Sequence, residues 1–489
     1  MKRGRERDSA PALDALFDMP VVDFFARHWE QGPLVVKGAQ HRLALWTELP
    51  NWESTLGVLL NAACIGGVCE PLVLKDQHPT SAYPSTAAAY LDGCSIVVNH
   101  AEEASPAVAQ LCRDLRRVLP HAFANIYLTP PDGRAVDAHA DDRDVIVLQL
   151  AGAKSWKVFP PPDGLAFPVE DEQVGKAGRA VPASAVRAGR ESMVRTLRKG
   201  DVMYVPRGFV HEAATGKEGA SLHLTLALPS HDWSWAALAA RAVDDASGHA
   251  RDLARDDGGG GSGAGQGVAR SDGASLLREL RAREQPADDA RGRWFWRRAV
   301  PPALVCPAAG DARAVSTARH LAAAVELELG LACDPGSVRD DAAADGAAEA
   351  TDGVISRHLR LRAALHNARQ DERVGAGAQK FRHEARSAVA PSSWVRRLHA
   401  HETAPVAERS GGADGAQETD RGLVAREEIA DALMVTLARL TTEPTRVSSF
   451  DDAPLLCELG KACFAQVCID LGLLLLCDAD GRAYAQSLT

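Results

Sequence analysis

A histidine–aspartate pair and a distant third histidine constrain this sequence more than any other feature. His139 and Asp141 are two residues apart, and His211 follows a Pro-Arg-Gly turn much later in the chain. Side chains two residues apart on an extended segment project to the same side. Two imidazoles and one carboxylate suit Fe(II) and leave coordination positions open. The pattern predicts a metal site, although a His-x-Asp pair also arises by chance, with Asp141 then in a surface or capping role.

Strand-like segments separated by turn residues surround these three side chains. We expect a turn at Gly152 and a strand end that aims His211 back at the pair. Several short strands of this kind indicate a double-sheet barrel or jelly roll. The predicted strands are 125–129, 145–150, 155–159, 202–205 and 221–228.

Helical patterns dominate the rest of the chain, which at 489 residues is long enough for two or three domains. Ser105 is placed to cap one helix and Pro106 to begin it. Flexible inserts rich in Gly, Ala and Asp are predicted at 256–263, 338–352 and 409–421. The predicted helices are 21–29, 52–63, 105–119, 233–246, 276–284, 317–329, 359–368, 426–440 and 454–476.

Composition and charge argue against several classes of protein. The net charge is −10, which favours a basic partner over nucleic acid. Residues 424–489 hold five Lys or Arg against ten Asp or Glu, so direct DNA binding is not expected. The basic N-terminus lacks the apolar core of a signal peptide, and no apolar run is long enough to span a bilayer. Ten cysteines without a Cys-x-x-Cys pair indicate free thiols in a reducing compartment. We expect a soluble intracellular protein.

Several polar residues in the strand-like region have the pattern of a lined cavity. Lys154 is flanked by apolar residues, and a buried lysine needs an anionic partner; the alternative is a lysine whose ammonium reaches solvent. His223 and Thr225 alternate with leucines, as on a cavity wall or on a one-sided surface strand. Asn125 and Tyr127 share a face of their own strand and are candidates to complete that wall, unless Tyr127 is a simple core residue.

Five segments together resemble the JmjC-type ribosomal oxygenases, which are Fe(II)- and 2-oxoglutarate-dependent protein hydroxylases. Their order and spacing carry the resemblance across roughly 120–235. The segments are 125–131, 139–142, 148–156, 204–211 and 221–226.

The resemblance implies how the chemistry is divided among the residues. His139, Asp141 and His211 would hold Fe(II), and Lys154 would bind the carboxylate of the 2-oxoglutarate co-substrate, with O2 as the oxidant. Asn125, Tyr127 and Thr225 would help to bind 2-oxoglutarate. The family usually has Tyr where this chain has Ala140, which bears on the substrate groove rather than on metal ligation.

The resemblance also implies an α+β architecture in successive parts. Residues 1–12 are expected to be disordered. A double-stranded β-helix of the jelly-roll or cupin type, the JmjC domain, is expected over 13–230. A helical dimerisation region with flexible inserts is expected at 231–420, and a winged-helix-like domain at 424–489. A homodimer in the nucleus or nucleolus is expected by analogy with the family.

The implied activity is that of a 2-oxoglutarate-dependent dioxygenase acting on a protein side chain. A histidyl residue of a ribosomal protein is the expected substrate, with demethylation of histone lysine as a second reaction of the same chemistry. Three alternatives stay open. They are an arginyl hydroxylase, a catalytically silent chromatin or ribosome adaptor, and a metal-cupin enzyme that acts on a small molecule without 2-oxoglutarate.

Overall fold

The computed structural model describes most of the β-rich region and parts of the helical regions. The predicted helices at 52–63 and 276–284, the three predicted inserts and residues 1–11 lie outside the described residues. The described residues are 12–51, 71–242, 295–329, 353–384, 389–399, 427–450 and 458–484, without 177, 218, 305, 307, 308 and 391.

The chain combines helices with antiparallel sheets, which confirms the predicted α+β class. The described helices are α1 (Ala12–Phe17), α2 (Val21–Arg27), α3 (Thr86–Leu91), α4 (Ala101–Ala104), α5 (Pro106–Leu115), α6 (Ala312–Glu328), α7 (Val354–Glu384), α8 (Glu427–Arg439) and α9 (Glu458–Asp470), besides a helical segment at 235–242. The described strands are β1 (Leu34–Val36), β2 (Pro71–Lys75), β3 (His78–Pro79), β4 (Ser95–Val98), β5 (Phe123–Thr129), β6 (Asp144–Phe159), β7 (Met193–Arg198), β8 (Val202–Val205), β9 (Val210–Ala214), β10 (Ser221–Leu228), β11 (Trp394–Arg397), β12 (Thr445–Arg446) and β13 (Leu474–Cys477).

Strand β6 belongs to both sheets of the β-domain. Its first half lies in an antiparallel sheet of order β1-β8-β6-β10-β5-β4-β2-β3, and its second half pairs with β7 and β9. The predicted turn at Gly152 is therefore wrong, because β6 runs on through this residue. Gly152 has φ +63°, and a Cβ atom there would lie 1.9 Å from the carbonyl oxygen of Ala220. Only glycine allows the strand to bend here and pass from one sheet to the other.

The period-two alternation of β6 and β10 separates a helix-packed core from an inner cavity. Ile146 and Leu148 pack into the large core beneath the helices, whereas Val145 and Val147 face inward. On β10 the leucines join the same core, while His223 and Thr225 point to the other side and are 2% and 9% exposed. This burial decides for a cavity wall over a one-sided surface strand.

The helices cover the outer face of the sheet. Ser105 accepts a hydrogen bond from the backbone N–H of Val108, and Pro106 is the first residue of α5, as predicted. The long helix α7 packs on α4, where the Gln370 amide donates to Glu102 at 2.9 Å. Within the described part of the chain, no helix has both the length and the hydropathy needed to cross a membrane.

A buried ion pair joins the N-terminal segment to the β-domain. Arg207 donates to Glu30 at 3.1 Å, and both side chains are almost fully buried. Asp144 lies in the same cluster and accepts hydrogen bonds from Tyr204 and Ser230. Burial raises the pKa of both carboxyl groups, and the Arg207 guanidinium opposes that rise.

Near the C-terminus, α8 and α9 accompany a small antiparallel sheet of order β12-β11-β13. The predicted helix at 454–476 is too long, because α9 ends at Asp470 and Leu474–Cys477 form β13. The backbone N–H of Leu473 donates to the carbonyl of Cys468 at 2.8 Å, a bond that closes the helix end. The winged-helix assignment of this region stays a prediction.

Candidate metal centre

The three predicted ligands converge at one point of the β-domain. His139 lies just before β6, and His211 is the second residue of β9. One ligand atom from each of His139, Asp141 and His211 can be chosen so that all lie within 4.8 Å of one another. The Nε2 atoms of His139 and His211 lie 3.9 and 3.6 Å from the two carboxylate oxygens of Asp141.

Backbone carbonyls orient both imidazoles. Nδ1–H of His139 donates to the carbonyl of Asp137 at 2.7 Å, and Nδ1–H of His211 donates to that of Phe209 at 3.1 Å. Because a carbonyl can only accept, each Nε2 is left unprotonated and directed at Asp141. Such outer hydrogen bonds fix the tautomer that a metal requires.

Charge and burial keep the donor set in its ligating form. Burial lowers the pKa of His139 to about 3 and also lowers the pKa of His211, so both rings are neutral. Burial opposes ionisation of Asp141, but the Lys176 ammonium outweighs it and holds the pKa of Asp141 well below the usual range. Two neutral imidazoles and one carboxylate at this spacing fit a divalent transition metal with open positions.

A turn at 174–179 lies directly against the extended segment 138–141, which carries His139 and Asp141 and which we call the ligand strand. The Ala140 N–H donates to the carbonyl of Val174 at 2.9 Å, and Gly175 follows with φ +75°. A Cβ atom at Gly175 would lie 2.3 Å from the Ala138 carbonyl oxygen and 2.7 Å from Cα of His139. The close approach brings the Lys176 ammonium into contact with Asp141.

A cavity opens beside the three ligands. Lys154 lines it and is 3% exposed, so it is not a lysine that reaches solvent. Its Nζ donates to the hydroxyl of Thr129 at 2.9 Å, and burial lowers its pKa to about 7. Among the described residues no carboxylate pairs with it, so an anionic ligand that enters the cavity would meet a cation without a counter-charge.

Tyr127, His223 and Thr225 line the same cavity. The rings of Tyr127 and His223 are stacked, with centroids 4.8 Å apart and an interplanar angle of 1°. Burial raises the pKa of Tyr127, which leaves a neutral phenol as a hydrogen-bond donor. The apolar parts of the wall, Val145, Val147 and Trp156, limit the access of water.

Asn125 lies beside the cavity wall, opposite Thr225 in the register of β5 and β10. Among the described residues it is not part of the cavity wall; its side chain accepts from the N–H of His100 at 3.1 Å and hydrogen-bonds to Tyr127. Asn125 therefore contacts the cavity through the phenol of Tyr127.

Ala140 points away from the ligands. It is buried in a small apolar cluster with Phe159, Val174 and Val210. The strand alternation that directs His139 and Asp141 to the metal side directs Ala140 to this cluster. A small residue here fits the space beneath the 174–179 turn.

Two residues of the site, Thr129 and Lys176, are not predicted from the sequence. The sequence predicts Thr129 only as a strand residue, yet its hydroxyl accepts a hydrogen bond from the Lys154 ammonium. The two side chains lie on the same face of the sheet, and their contact follows only from the order of the strands. Lys176 lies in an irregular loop with no periodic signal, and no sequence pattern points to it. Its contact with Asp141 is visible only in three dimensions.

A second group of close side chains, His100, Glu102 and Glu103, also has metal-like spacing. Glu102 accepts from the N–H of Ala124 at 2.9 Å and from Gln370, and Arg373 lies 3.5 Å from Glu103. These contacts give the group a structural role in seating α7.

Comparison with known proteins identifies the class of the β-domain. Residues 98–235 match the family model of the JmjC domain. This region of the chain resembles a JmjC domain, and the resemblance to that family predicted from the sequence is confirmed here.

Two similar relatives carry matching names. The chain is 36% identical over 216 residues to "Bifunctional lysine-specific demethylase and histidyl-hydroxylase NO66" of Drosophila persimilis, covering 42% of this chain and 30% of the relative. It is 32% identical over 219 residues to "Ribosomal oxygenase 1" of Homo sapiens, covering 42% and 32%. The match thus spans about a third of the length of these relatives.

A solved structure, that of YcfD, "a Ribosomal oxygenase from Escherichia coli in complex with Cobalt and 2-oxoglutarate", is also similar. It is 20% identical with a TM-score of 0.34, covering 54% of this chain and 66% of that chain.

Proposed function

We propose that this protein is an Fe(II)- and 2-oxoglutarate-dependent protein hydroxylase. The observation that carries the proposal is the convergence of His139, Asp141 and His211, with both Nε2 atoms unprotonated, beside a cavity that contains the buried Lys154. The JmjC match and the relatives' names support it.

His139, Asp141 and His211 would hold the metal on one face and leave the cavity side open. When bound, iron and 2-oxoglutarate supply O2 activation, with succinate and CO2 as co-products and one oxygen atom inserted into a substrate C–H bond. The chain's own residues bind, orient and keep the site dry; none is required as a general acid or base.

Lys154 would pair with the distal carboxylate of 2-oxoglutarate. Thr129 holds its ammonium in place, and Thr225 and Tyr127 offer hydroxyl groups on the same wall. Asn125 would act through Tyr127 by fixing the position of the phenol. The charge of the bound co-substrate would offset the cost of burying Lys154.

The protein substrate is the finer part of the proposal. We propose a histidyl side chain of a ribosomal protein, in keeping with the relatives' names. A net charge of −10 favours a basic partner, as ribosomal proteins and histones are. Demethylation of histone lysine and arginyl hydroxylation use the same site, and a nuclear or nucleolar location is part of the same proposal.

We also propose a homodimer. Leu361 and Leu365 of α7 lie one helical turn apart and are 53% and 52% exposed. Leucines at this spacing form an apolar stripe that a second copy of the helix would cover.

Release of succinate from 2-oxoglutarate tests the proposal. With Fe(II), O2 and a ribosomal-protein fraction, succinate should form, and Lys154→Met should abolish its formation. A metal-cupin enzyme without 2-oxoglutarate would be indifferent to Lys154→Met. A silent adaptor would bind the metal and release no succinate.

A further inference from the structure

The carboxylate of Asp141 has a cationic partner that belongs to the chain itself. Lys176 Nζ contacts Oδ1 of Asp141. Within the described residues it is the only Lys or Arg side chain in contact with that carboxylate. The nearby Arg143 instead forms an ion pair with Asp142 at 2.6 Å.

The position of Lys176 is set by backbone geometry rather than by chance packing. The Val174 carbonyl accepts from the ligand strand, and the Gly175 N–H donates to the carbonyl of Arg179 at 2.6 Å. The N–H of Arg179 in turn donates to the carbonyl of Lys176 at 2.9 Å. These bonds form a tight turn that begins one residue before Lys176 and aims it at Asp141.

The carboxylate requires a cation, and Lys176 supplies one next to the position that a metal would occupy. Its two neighbouring imidazoles are held neutral with Nε2 unprotonated, so they supply no positive charge. An ionised carboxylate of low exposure is costly without a cation. His139 Nε2 lies 3.9 Å from Oδ1, the oxygen that Lys176 contacts, and His211 Nε2 lies 3.6 Å from Oδ2. A metal held by the three ligands would therefore lie next to the ammonium, and the two positive charges would repel each other.

Lys176 is able to leave. Its side chain is 41% exposed, whereas that of Asp141 is 13% exposed. A lysine at the mouth of a site can rotate its flexible stem into solvent without leaving a buried charge behind.

We propose that Lys176 is a tethered competitor of the metal: Asp141 pairs with the ammonium or with the metal ion, and Lys176 thereby sets the metal affinity of the site. This inference rests on the proposed function, because it requires the metal to bind at His139, Asp141 and His211. It adds a residue that decides how readily the metal enters.

Titration with Co(II), followed by its absorption spectrum in protein stripped of metal, tests the competition. Lys176→Met should bind Co(II) about tenfold more tightly or better, because it removes both the competing partner and a nearby positive charge. Lys176→Arg keeps the charge and should stay within about threefold of the natural protein. Lys199→Met, at an exposed lysine just before β8, is the matched control and should change nothing. A Lys176→Met affinity equal to or weaker than that of the control overturns the inference.

Amine labelling of the natural protein gives a second readout that needs no variant. An acylating reagent, followed by peptide mass analysis, should modify Lys176 more rapidly when Co(II) is present, while labelling of Lys199 stays constant. Labelling of Lys176 that does not respond to Co(II) overturns the inference. If the natural protein binds no Co(II), or binds it equally well after His139→Ala, the proposed function fails together with the inference. If Co(II) binds through His139 and Lys176 does not respond, only the inference fails.

Discussion

His139 and His211 exchange both backbone hydrogen bonds of an antiparallel bridge, at 3.1 and 2.8 Å, and their ring centroids lie 4.4 Å apart. Two candidate ligands far apart in sequence are thus joined directly by the main chain. On the other side of the same strand, Val174 accepts from the N–H of Ala140. The ligand strand lies between two backbone partners, so its position depends on backbone contacts as well as on side chains.

The contact of Gly175 with this strand predicts a selective loss of metal binding. Gly175→Ala should weaken Co(II) binding by about tenfold or more, because its Cβ would displace Ala138 and His139. Co(II) titration and thermal unfolding are the measurements. Gly164→Ala is a close control, since Gly164 has the same φ of +75° and nothing within 4 Å of the added carbon. Gly164→Ala should lose about 1 kcal/mol of stability from backbone strain, and Gly175→Ala should lose more, because its Cβ also meets the backbone of Ala138 and His139. Equal Co(II) affinity in the two variants would refute the role of the contact.

The buried Lys154 predicts that its removal stabilises the protein. Its folded pKa is about 7 against an ordinary value of 10.5, so between these values the unfolded chain binds more protons than the folded one. Stability therefore rises with pH across this window, and the penalty is complete below about pH 7. Lys154→Met should raise the free energy of unfolding by roughly 2–4 kcal/mol at neutral pH and by little near pH 10. Chemical denaturation at several pH values checks this, with Lys199→Met as the control. A destabilised Lys154→Met variant at neutral pH would show that the ammonium already has an anionic partner.

The same lysine predicts proton uptake when 2-oxoglutarate binds. A carboxylate beside Lys154 favours its charged form, so the pKa should rise on binding. At about pH 8 the protein should take up most of one proton per 2-oxoglutarate bound, and at about pH 6 almost none. Calorimetry of the Mn(II)-loaded protein without O2, in buffers of different ionisation enthalpy, measures this uptake. Absence of uptake at the higher pH would remove Lys154 from the co-substrate site.

The cluster around Arg207 predicts a large loss of stability on its removal. Arg207→Met leaves Glu30 and Asp144 buried without their guanidinium partner, which should cost about 3–5 kcal/mol. Thermal unfolding should show a marked fall in Tm. Arg195→Met, at an exposed position of β7, should leave Tm nearly unchanged. A small effect of Arg207→Met would indicate that the two carboxyl groups are protonated in the folded protein.

Much of the β-domain could be predicted from the sequence because its strands carry strong alternation and clear turns. The strands around 125–129, 202–205 and 221–228 and the cap at Ser105 are where the patterns place them. The turn predicted at Gly152 is wrong because a glycine with positive φ occurs in turns and in bent strands alike. The predicted last helix is too long because the apolar segment Leu474–Cys477 fits a helix or a strand. Only its pairing with β11 shows that it is a strand.

The candidate site is likewise predictable from the sequence only in part. His139, Asp141, His211 and Lys154 stand on regular strands or next to them, where spacing and flanking residues predict direction. Lys176 could not be predicted, because its contact with Asp141 depends on a turn that approaches His139 only in the folded chain. Thr129 shares a strand face with Asn125 and Tyr127, but its contact with Lys154 depends on the pairing of β10 with both β5 and β6, which no single segment specifies.

Intact-mass analysis of a ribosomal-protein fraction tests the central claim most directly. After incubation with the protein, Fe(II), 2-oxoglutarate and O2, a single ribosomal protein should gain the mass of one oxygen atom, located by fragmentation at one histidyl residue. The His139→Ala variant, with its fold checked by circular dichroism, should give no gain. Histone peptides in a parallel reaction would reveal demethylation as loss of a methyl group. Unchanged masses throughout, with Fe(II) and 2-oxoglutarate both shown to be bound, would contradict the assignment of this protein as a protein hydroxylase.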